Sequence, residues 1–309
     1  MSDTTTILLH LGTHKTGSTS LQRNFAKHRW VLRKHGLRYV GTDQPYPNLY
    51  SAFMPDPMKF VWNRVSGLSR EQIMARDAKS MAELEAVLAK NTDPLVVISS
   101  EYLAMLPAEG LRAMRDRFAP YGRVEAVYAY RELHSWISSD TQQMAKIGVA
   151  KRRTPVNEAL RRISDFPVKI VEVFGRDATH FLRFEDAKEI GICTHFLQTF
   201  GLPGFPEMGL EESRENLSLS GPAVEALFVY NREHPLEGGT RDPVEVARLR
   251  ALPGPRYVAN AFGPRHIENY AQAWKVATEL GLRLAPPETL ARLPAWQIWR
   301  SRLKRALRL

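Results

Sequence analysis

The chain has 309 residues, of which 44% are apolar and 25% charged, enough for one large α/β domain with a real hydrophobic core and too apolar for overall disorder. Its one cysteine, Cys193, excludes an intramolecular disulfide framework and a multi-cysteine zinc site. Lys and Arg outnumber Asp and Glu by 43 to 33, a net +10 of which residues 296–309 supply five; the remaining +5 fits an enzyme that handles a polyanionic cofactor.

The apolar run Thr6 to Leu11, broken by Gly12, predicts a buried first strand of a parallel sheet. A helix is expected over 18–36, with Leu21, Phe25 and Leu32 on its apolar face and Gly36 as its stop. A second strand is expected over 37–40 and a loop over 42–58. Ser69 opens an amphipathic helix to Lys90. Then come a buried strand over 95–99, a helix over 111–118 and a strand over 124–130. Helices are expected over 135–147 and 157–163, a strand over 179–184, and a helix over 190–200 closed by Gly201 and Pro203. Residues 203–264 carry many prolines and glycines and no strong period; 266–280 reads as helix. This alternation predicts an α/β fold, a three-layer sandwich with a central parallel sheet and a P-loop-like strand-loop-helix at its start, with ligands at the carboxyl ends of the strands. The expected organisation is one domain over 1–295 and a basic amphipathic tail over 296–309.

The segment His10-Leu11-Gly12-Thr13-His14-Lys15-Thr16-Gly17-Ser18-Thr19-Ser20-Leu21-Gln22 leaves the first strand and opens the first helix. Glycines turn the backbone and expose N–H groups, the helix start adds partial positive charge, Lys15 adds a full one, and Thr16, Ser18 and Thr19 offer hydroxyls. This is a phosphate cradle. Gly12 and Gly17 have the spacing of a nucleotide-triphosphate loop, but the lysine lies inside the loop rather than after the second glycine, which disfavours an ordinary kinase or GTPase. The bland reading is a glycine turn beside a solvent lysine.

The cradle resembles the 5′-phosphosulfate loop of sulfotransferases that use 3′-phosphoadenosine 5′-phosphosulfate (PAPS), the bacterial branch most of all. A second segment, Tyr128 to Ser139, puts Arg131 at a strand end and Ser139 eight residues later; it is similar to the family's 3′-phosphate site, where a planar guanidinium and a hydroxyl meet a dianion. Read alone, these two would be a helix-capping Arg and a surface Ser. Softer likenesses are Val173 to Gly175, Phe181 to Asp186 and Asn216 to Ser220, so the resemblance covers about residues 6–233. The late Arg-Lys-Gly loop that closes over the 3′-phosphate in the steroid and phenol enzymes is absent; Gly254-Pro255-Arg256 offers a cation there.

The resemblance implies PAPS as co-substrate, PAP (adenosine 3′,5′-bisphosphate) as product, no metal, and in-line transfer of a sulfuryl group to a hydroxyl or amine. Lys15 would neutralise the leaving phosphate, with Thr16, Gly17, Ser18 and Thr19 holding it. Glu101, at the end of the third strand, is the expected general base; His14 and His134 are alternatives whose bland reading is loop hydrogen bonding. The implied acceptor is a carbohydrate, a glycolipid or other lipid-linked compound, or another small metabolite. Tyr46, Tyr50, Phe53, Phe60 and Trp62 form either an acceptor wall or packed core.

Competing readings are a P-loop small-molecule kinase with a shifted lysine and a catalytically silent nucleotide-binding protein. Nucleic acid is not an expected partner, since basic residues interleave with aromatics only in the tail. There Trp296, Trp299, Leu303 and Leu307 share a face beside Arg300, Arg302, Lys304, Arg305 and Arg308. That pattern suits an interfacial helix on anionic lipid at the inner membrane surface, or packing on its own domain or on a second copy in a homodimer. No apolar run reaches the roughly 18–20 residues of a spanning helix, and the polar start lacks the basic region of a secretory signal, so the expected compartment is the cytoplasm.

Overall fold

The computed structural model describes residues 5–42, 47–213, 218–236, 240–259 and 262–291. In chain order its elements are β1 (Thr6–Gly12), α1 (Ser18–Lys27), α2 (Arg29–Lys34), β2 (Leu37–Tyr39), α3 (Pro47–Ala52), α4 (Val61–Val65), α5 (Arg70–Ala89), β3 (Leu95–Ser99), α6 (Ala108–Phe118), β4 (Arg123–Tyr130), α7 (Leu133–Lys146), α8 (Val156–Leu160), α9 (Asp165–Phe174), β5 (Thr179–Arg183), α10 (Ala187–Ile190), α11 (Ile192–Thr199), α12 (Gly221–Glu233), α13 (Pro243–Arg250), α14 (Pro264–Glu279) and α15 (Glu288–Ala291). They fall into two compact units, residues 1–130 with 165–214, and 131–164 with 215–309.

The first unit holds a five-stranded, all-parallel sheet in the order β2-β3-β1-β4-β5. Parallel strands are covered on both faces, which is why β1 reads as an unbroken apolar run. Leu8, Val97, Val127, Ala129 and Leu182 face one core, packed with Leu21 and Phe25 of α1 and Phe196 and Leu197 of α11. Ile7, Leu9 and Leu11 point the opposite way, as alternation requires, and are fully buried too. The α/β class and the three-layer arrangement thus stand as expected.

The second unit is helical among its described residues: α7, α8, α12, α13, α14 and α15. Helices α7, α8 and α14 match expected helices, and α12 and α13 start where the sequence offered only proline-rich irregularity. The Ser220 hydroxyl accepts the Ala223 N–H at 3.1 Å and opens α12; the Asp242 carboxylate accepts the Val244 N–H at 2.8 Å and opens α13. Pro222 and Pro243 sit in the first turns, where a missing N–H costs nothing, so those prolines mark helix starts.

Other departures also have local causes. The helix expected over 18–36 breaks at His28, whose N–H closes on the Asn24 carbonyl at 2.9 Å while its own carbonyl accepts from Leu32 at 3.1 Å. The expected loop over 42–58 contains α3. Helix α9 is an addition to the predicted elements; its buried Phe166, Ile170, Val173 and Phe174 have helical spacing. The tail, Tyr46, and Asn216 and Leu217 lie outside the described residues.

Candidate functional site

The site follows from connectivity. After β1 the chain runs through α1 and α2 to β2, on one side of the sheet; after β3 it runs through α6 to β4, on the other. Adjacent strands whose connections diverge leave a crevice at their carboxyl ends, which here lies between the loops after β1 and β3. Gly12 and Glu101 meet there. Gly12 has φ +90°, and a Cβ at that position would lie 2.7 Å from the Glu101 carbonyl oxygen and 2.8 Å from its Cα. Both are backbone atoms that cannot swing away. Gly12→Ala is therefore expected to cost about 2–4 kcal/mol, from left-handed strain plus overpacking, read as a lower urea midpoint at unchanged slope.

The loop between Gly12 and α1 builds the cradle. Gly17 also has φ +90°, and a Cβ there would strike Ile192 of α11 at 2.6 Å, so both glycines are needed for shape. Lys15 holds φ 68°, a left-handed conformation that a lysine adopts only under constraint. The Thr13 N–H donates to the Ala129 carbonyl at 3.0 Å, and the Thr13 carbonyl accepts the hydroxyls of Thr16 and, at 3.2 Å, of Ser18. Those two hydroxyls therefore brace the loop from inside, while Thr19 is exposed and Lys15 half-buried. Among the described residues no side chain caps α1 and its first turn carries no acid. Helix α11 differs: the Glu212 carboxylate accepts the N–H groups of Ile192 and Cys193, both at 3.1 Å. The uncapped start of α1 retains its partial positive charge for an anion.

Glu101 follows β3 and faces this cradle. Burial pushes its carboxyl above the usual range, while the positive charge of Lys15 pulls it part of the way back. Tyr102 stands beside it, and its hydroxyl accepts the indole N–H of Trp62 at 3.1 Å. Burial, with the nearby Glu101 charge, raises the Tyr102 phenol. The expected aromatic wall divides here. Tyr50 and Phe60 are buried and pack edge to face, with ring centroids 4.9 Å apart, whereas Trp62 is 44% exposed. A small, partly open hollow also lies against the cradle, lined by Thr16, Ser18, Arg183, Phe184, Ile192 and His195 among others.

Beneath the cradle lies a polar brace that the sequence motifs did not single out. His10 Nδ1 is 2.8 Å from the Ser99 hydroxyl, which also accepts from Gln22 Nε2 at 3.1 Å. Burial lowers the His10 imidazole to about 4, so it stays neutral and serves as a fixed hydrogen-bonding strut. Polar residues ending two adjacent buried strands, at His10 and Ser99, are the signal that could have revealed it. His14 sits half-buried in the loop itself.

In the second unit, Arg131 is 8% exposed and donates through Nε to the Ser135 hydroxyl at 2.7 Å. Ser135, Ser138 and Ser139 follow helical spacing and share a face of α7 near its start. The Ser138 hydroxyl donates to the His134 carbonyl at 2.6 Å and accepts the Ala259 N–H at 2.8 Å; Ser139 is half-buried beside it. No acid lies in the first turn of α7, and no side chain caps it among the described residues. The guanidinium and hydroxyls favour an anion here, while the buried N-cap residue of α7, Glu132, places a carboxylate beside them that accepts the Ala285 N–H at 3.1 Å.

No protein-family model and no curated protein matches the chain. Among solved structures, a sulfotransferase from Alicyclobacillus acidocaldarius is similar at 14% identity and TM-score 0.42, covering 78% of this chain and 98% of that one. Retinol dehydratase in complex with androsterone and the inactive cofactor PAP matches at 14% identity and TM-score 0.34, over 93% of this chain and 84% of that one. A second retinol dehydratase complex, with retinol and PAP, matches at 12% identity and TM-score 0.32, over 90% and 81%.

Proposed function

We propose that the chain is a sulfotransferase that takes a sulfuryl group from PAPS to a hydroxyl or amine of a small acceptor. The observation that carries this reading is the glycine-turned start of α1 with Lys15 inside the loop, beside the half-buried Glu101 at the neighbouring strand end. PAPS fits such residues: two glycines with positive φ turn the loop in places where a Cβ would strike Glu101 or Ile192, and the loop carries a cation, hydroxyls and helix N–H groups but no acid. When bound, PAPS supplies an activated sulfuryl group on a phosphate that leaves as PAP.

The chain's own residues then have three tasks. The first-turn N–H groups of α1 and Lys15 hold the 5′-phosphate and oppose the negative charge that grows on it as the bond breaks. Arg131, with the hydroxyls of α7, takes the 3′-phosphate, which distinguishes PAPS from nucleotides lacking it. Glu101 accepts the proton of the attacking acceptor hydroxyl, and desolvation at its site raises its basicity. Positioning and fixed charge do most of the work, as in phosphoryl transfer.

A thermal-shift comparison tests the reading. PAP is expected to raise the melting temperature by several degrees at about 100 times its Kd, a gain of roughly 2.7 kcal/mol, and Mg-ATP to leave it unchanged. Stabilisation by Mg-ATP without PAP would favour the kinase reading. PAP binding with no transfer to any sugar, lipid or phenol would favour the silent one.

A further inference from the structure

Glu101 is held from two sides. Gly12 lies against its backbone on one. On the other, the chain passes directly into the buried 3-10 turn Leu103–Met105, whose Leu103 N–H donates to the Ser100 carbonyl at 3.2 Å. Ser100 is tied in turn to the end of β1, through its N–H to the His10 carbonyl at 3.0 Å. The far end of the turn is gripped by a side chain from another element. Lys169 of α9 donates through Nζ to the carbonyls of Ala104 at 2.8 Å and Leu106 at 2.5 Å, and its ammonium stands 4.6 Å from the Phe166 ring centroid. Ala104 and Leu106 are fully buried, so their carbonyls would lose two charge-assisted partners without it.

We propose that Lys169 is a positioning residue for Glu101: it fixes the turn that sets where the carboxylate stands against the cradle. This rests on the reading of Glu101 as the base. Lys169 acts through the backbone rather than through its charge, because the groups that shift Glu101 are its burial and Lys15. Its effect should therefore fall on turnover and spare nucleotide binding. Displacement of a reacting group by about 1 Å costs on the order of 10²-fold in rate, so loosening the turn by a fraction of that should cost about tenfold.

The test uses the full-length protein, labelled PAPS as donor, and water and 2-naphthol as receivers. Lys169→Met is expected to slow sulfuryl release about tenfold at saturating PAPS while PAP affinity stays within about twofold of wild type, and Lys169→Arg to recover much of the rate. In the Glu101→Gln background, Lys169→Met should add nothing, since a residue that acts through Glu101 has nothing left to position. A multiplicative loss in the double variant, a parallel loss of PAP affinity, or wild-type rates in Lys169→Met would each overturn the proposal. Lys169→Gln, whose amide still reaches a carbonyl, serves if the Met variant does not fold. If Glu101→Gln turns over like wild type, the base assignment has failed, and if wild type forms neither sulfate nor 2-naphthyl sulfate, turnover with these receivers does not read the base. Amide exchange then decides the positioning claim alone: residues 100–106 should exchange about tenfold faster in Lys169→Met with residues 13–19 unchanged, and equal exchange would refute it.

Discussion

Lys15→Met is expected to weaken PAP binding by roughly 10- to 100-fold, the equivalent of about 1.5–3 kcal/mol for a charge-assisted contact to phosphate. The methionine keeps the stem and removes the charge, so the loss reports the ammonium itself. Lys15 also sits at φ 68°, which any L side chain occupies at some cost. Lys15→Gly relieves that cost and removes the same charge. It should therefore match the Met variant in nucleotide affinity yet equal or exceed wild type in urea stability. An affinity loss in Lys15→Met without one in Lys15→Gly would mean that loop shape, not charge, carries binding. Calorimetric titration with PAP and with AMP extends the test to the second anion feature. Loss of Lys15 should weaken both ligands alike, because both carry a 5′-phosphate. Arg131→Ala should weaken PAP and leave AMP nearly unchanged, collapsing the preference between them. Equal losses on both ligands in Arg131→Ala would remove that residue from the 3′-phosphate.

The strand-loop-helix at the start of the chain was legible because all its signals are local. An apolar run, two glycines at fixed spacing and a polar helix opening lie within residues 6–22, and each fixes backbone conformation through sterics alone. What was not legible is set by distant atoms. Glu101 could be placed at the correct edge of the sheet from its strand, but its approach to Gly12 depends on strand order. Sequence also suggested that Thr16 and Ser18 present hydroxyls to a ligand; the turn instead folds both onto the Thr13 carbonyl, a geometry decided by the glycines around them. Likewise Lys169 lay outside the predicted elements, and its role shows only once α9 is seen packed against the turn after β3. The aromatic cluster shows the same limit. Composition cannot separate Tyr50 and Phe60, which belong to the core, from Trp62, which does not.

Glu101→Gln should separate chemistry from binding more sharply than any other substitution. Gln keeps the shape and cannot take a proton, so turnover is expected to fall on the order of 10²- to 10⁴-fold with PAP affinity preserved. The pH dependence has a definite sign. A base works ionised, so wild-type turnover should rise with pH through the raised pKa of Glu101 and level off above it. Lys15 opposes that rise in the free protein. A bound phosphosulfate engages Lys15, so the limb should lie at higher pH with the nucleotide bound than burial and Lys15 together set without it. Lys15→Met should displace the free-protein limb upward in the same sense. Stability runs the other way. A carboxyl whose folded pKa is raised holds its proton more tightly in the native state, so its contribution is most favourable below the unfolded value, near 4.5. That contribution declines as pH rises toward the folded pKa and is constant beyond it. Above the folded pKa the ionised, half-buried carboxylate is therefore a net cost that Gln does not carry. Glu101→Gln should unfold at higher urea than wild type at pH 7, with the advantage shrinking toward pH 4. A variant that loses turnover and gains stability together is the signature of a base kept charged in a buried place; one that loses both would indicate that Glu101 holds the turn rather than the proton.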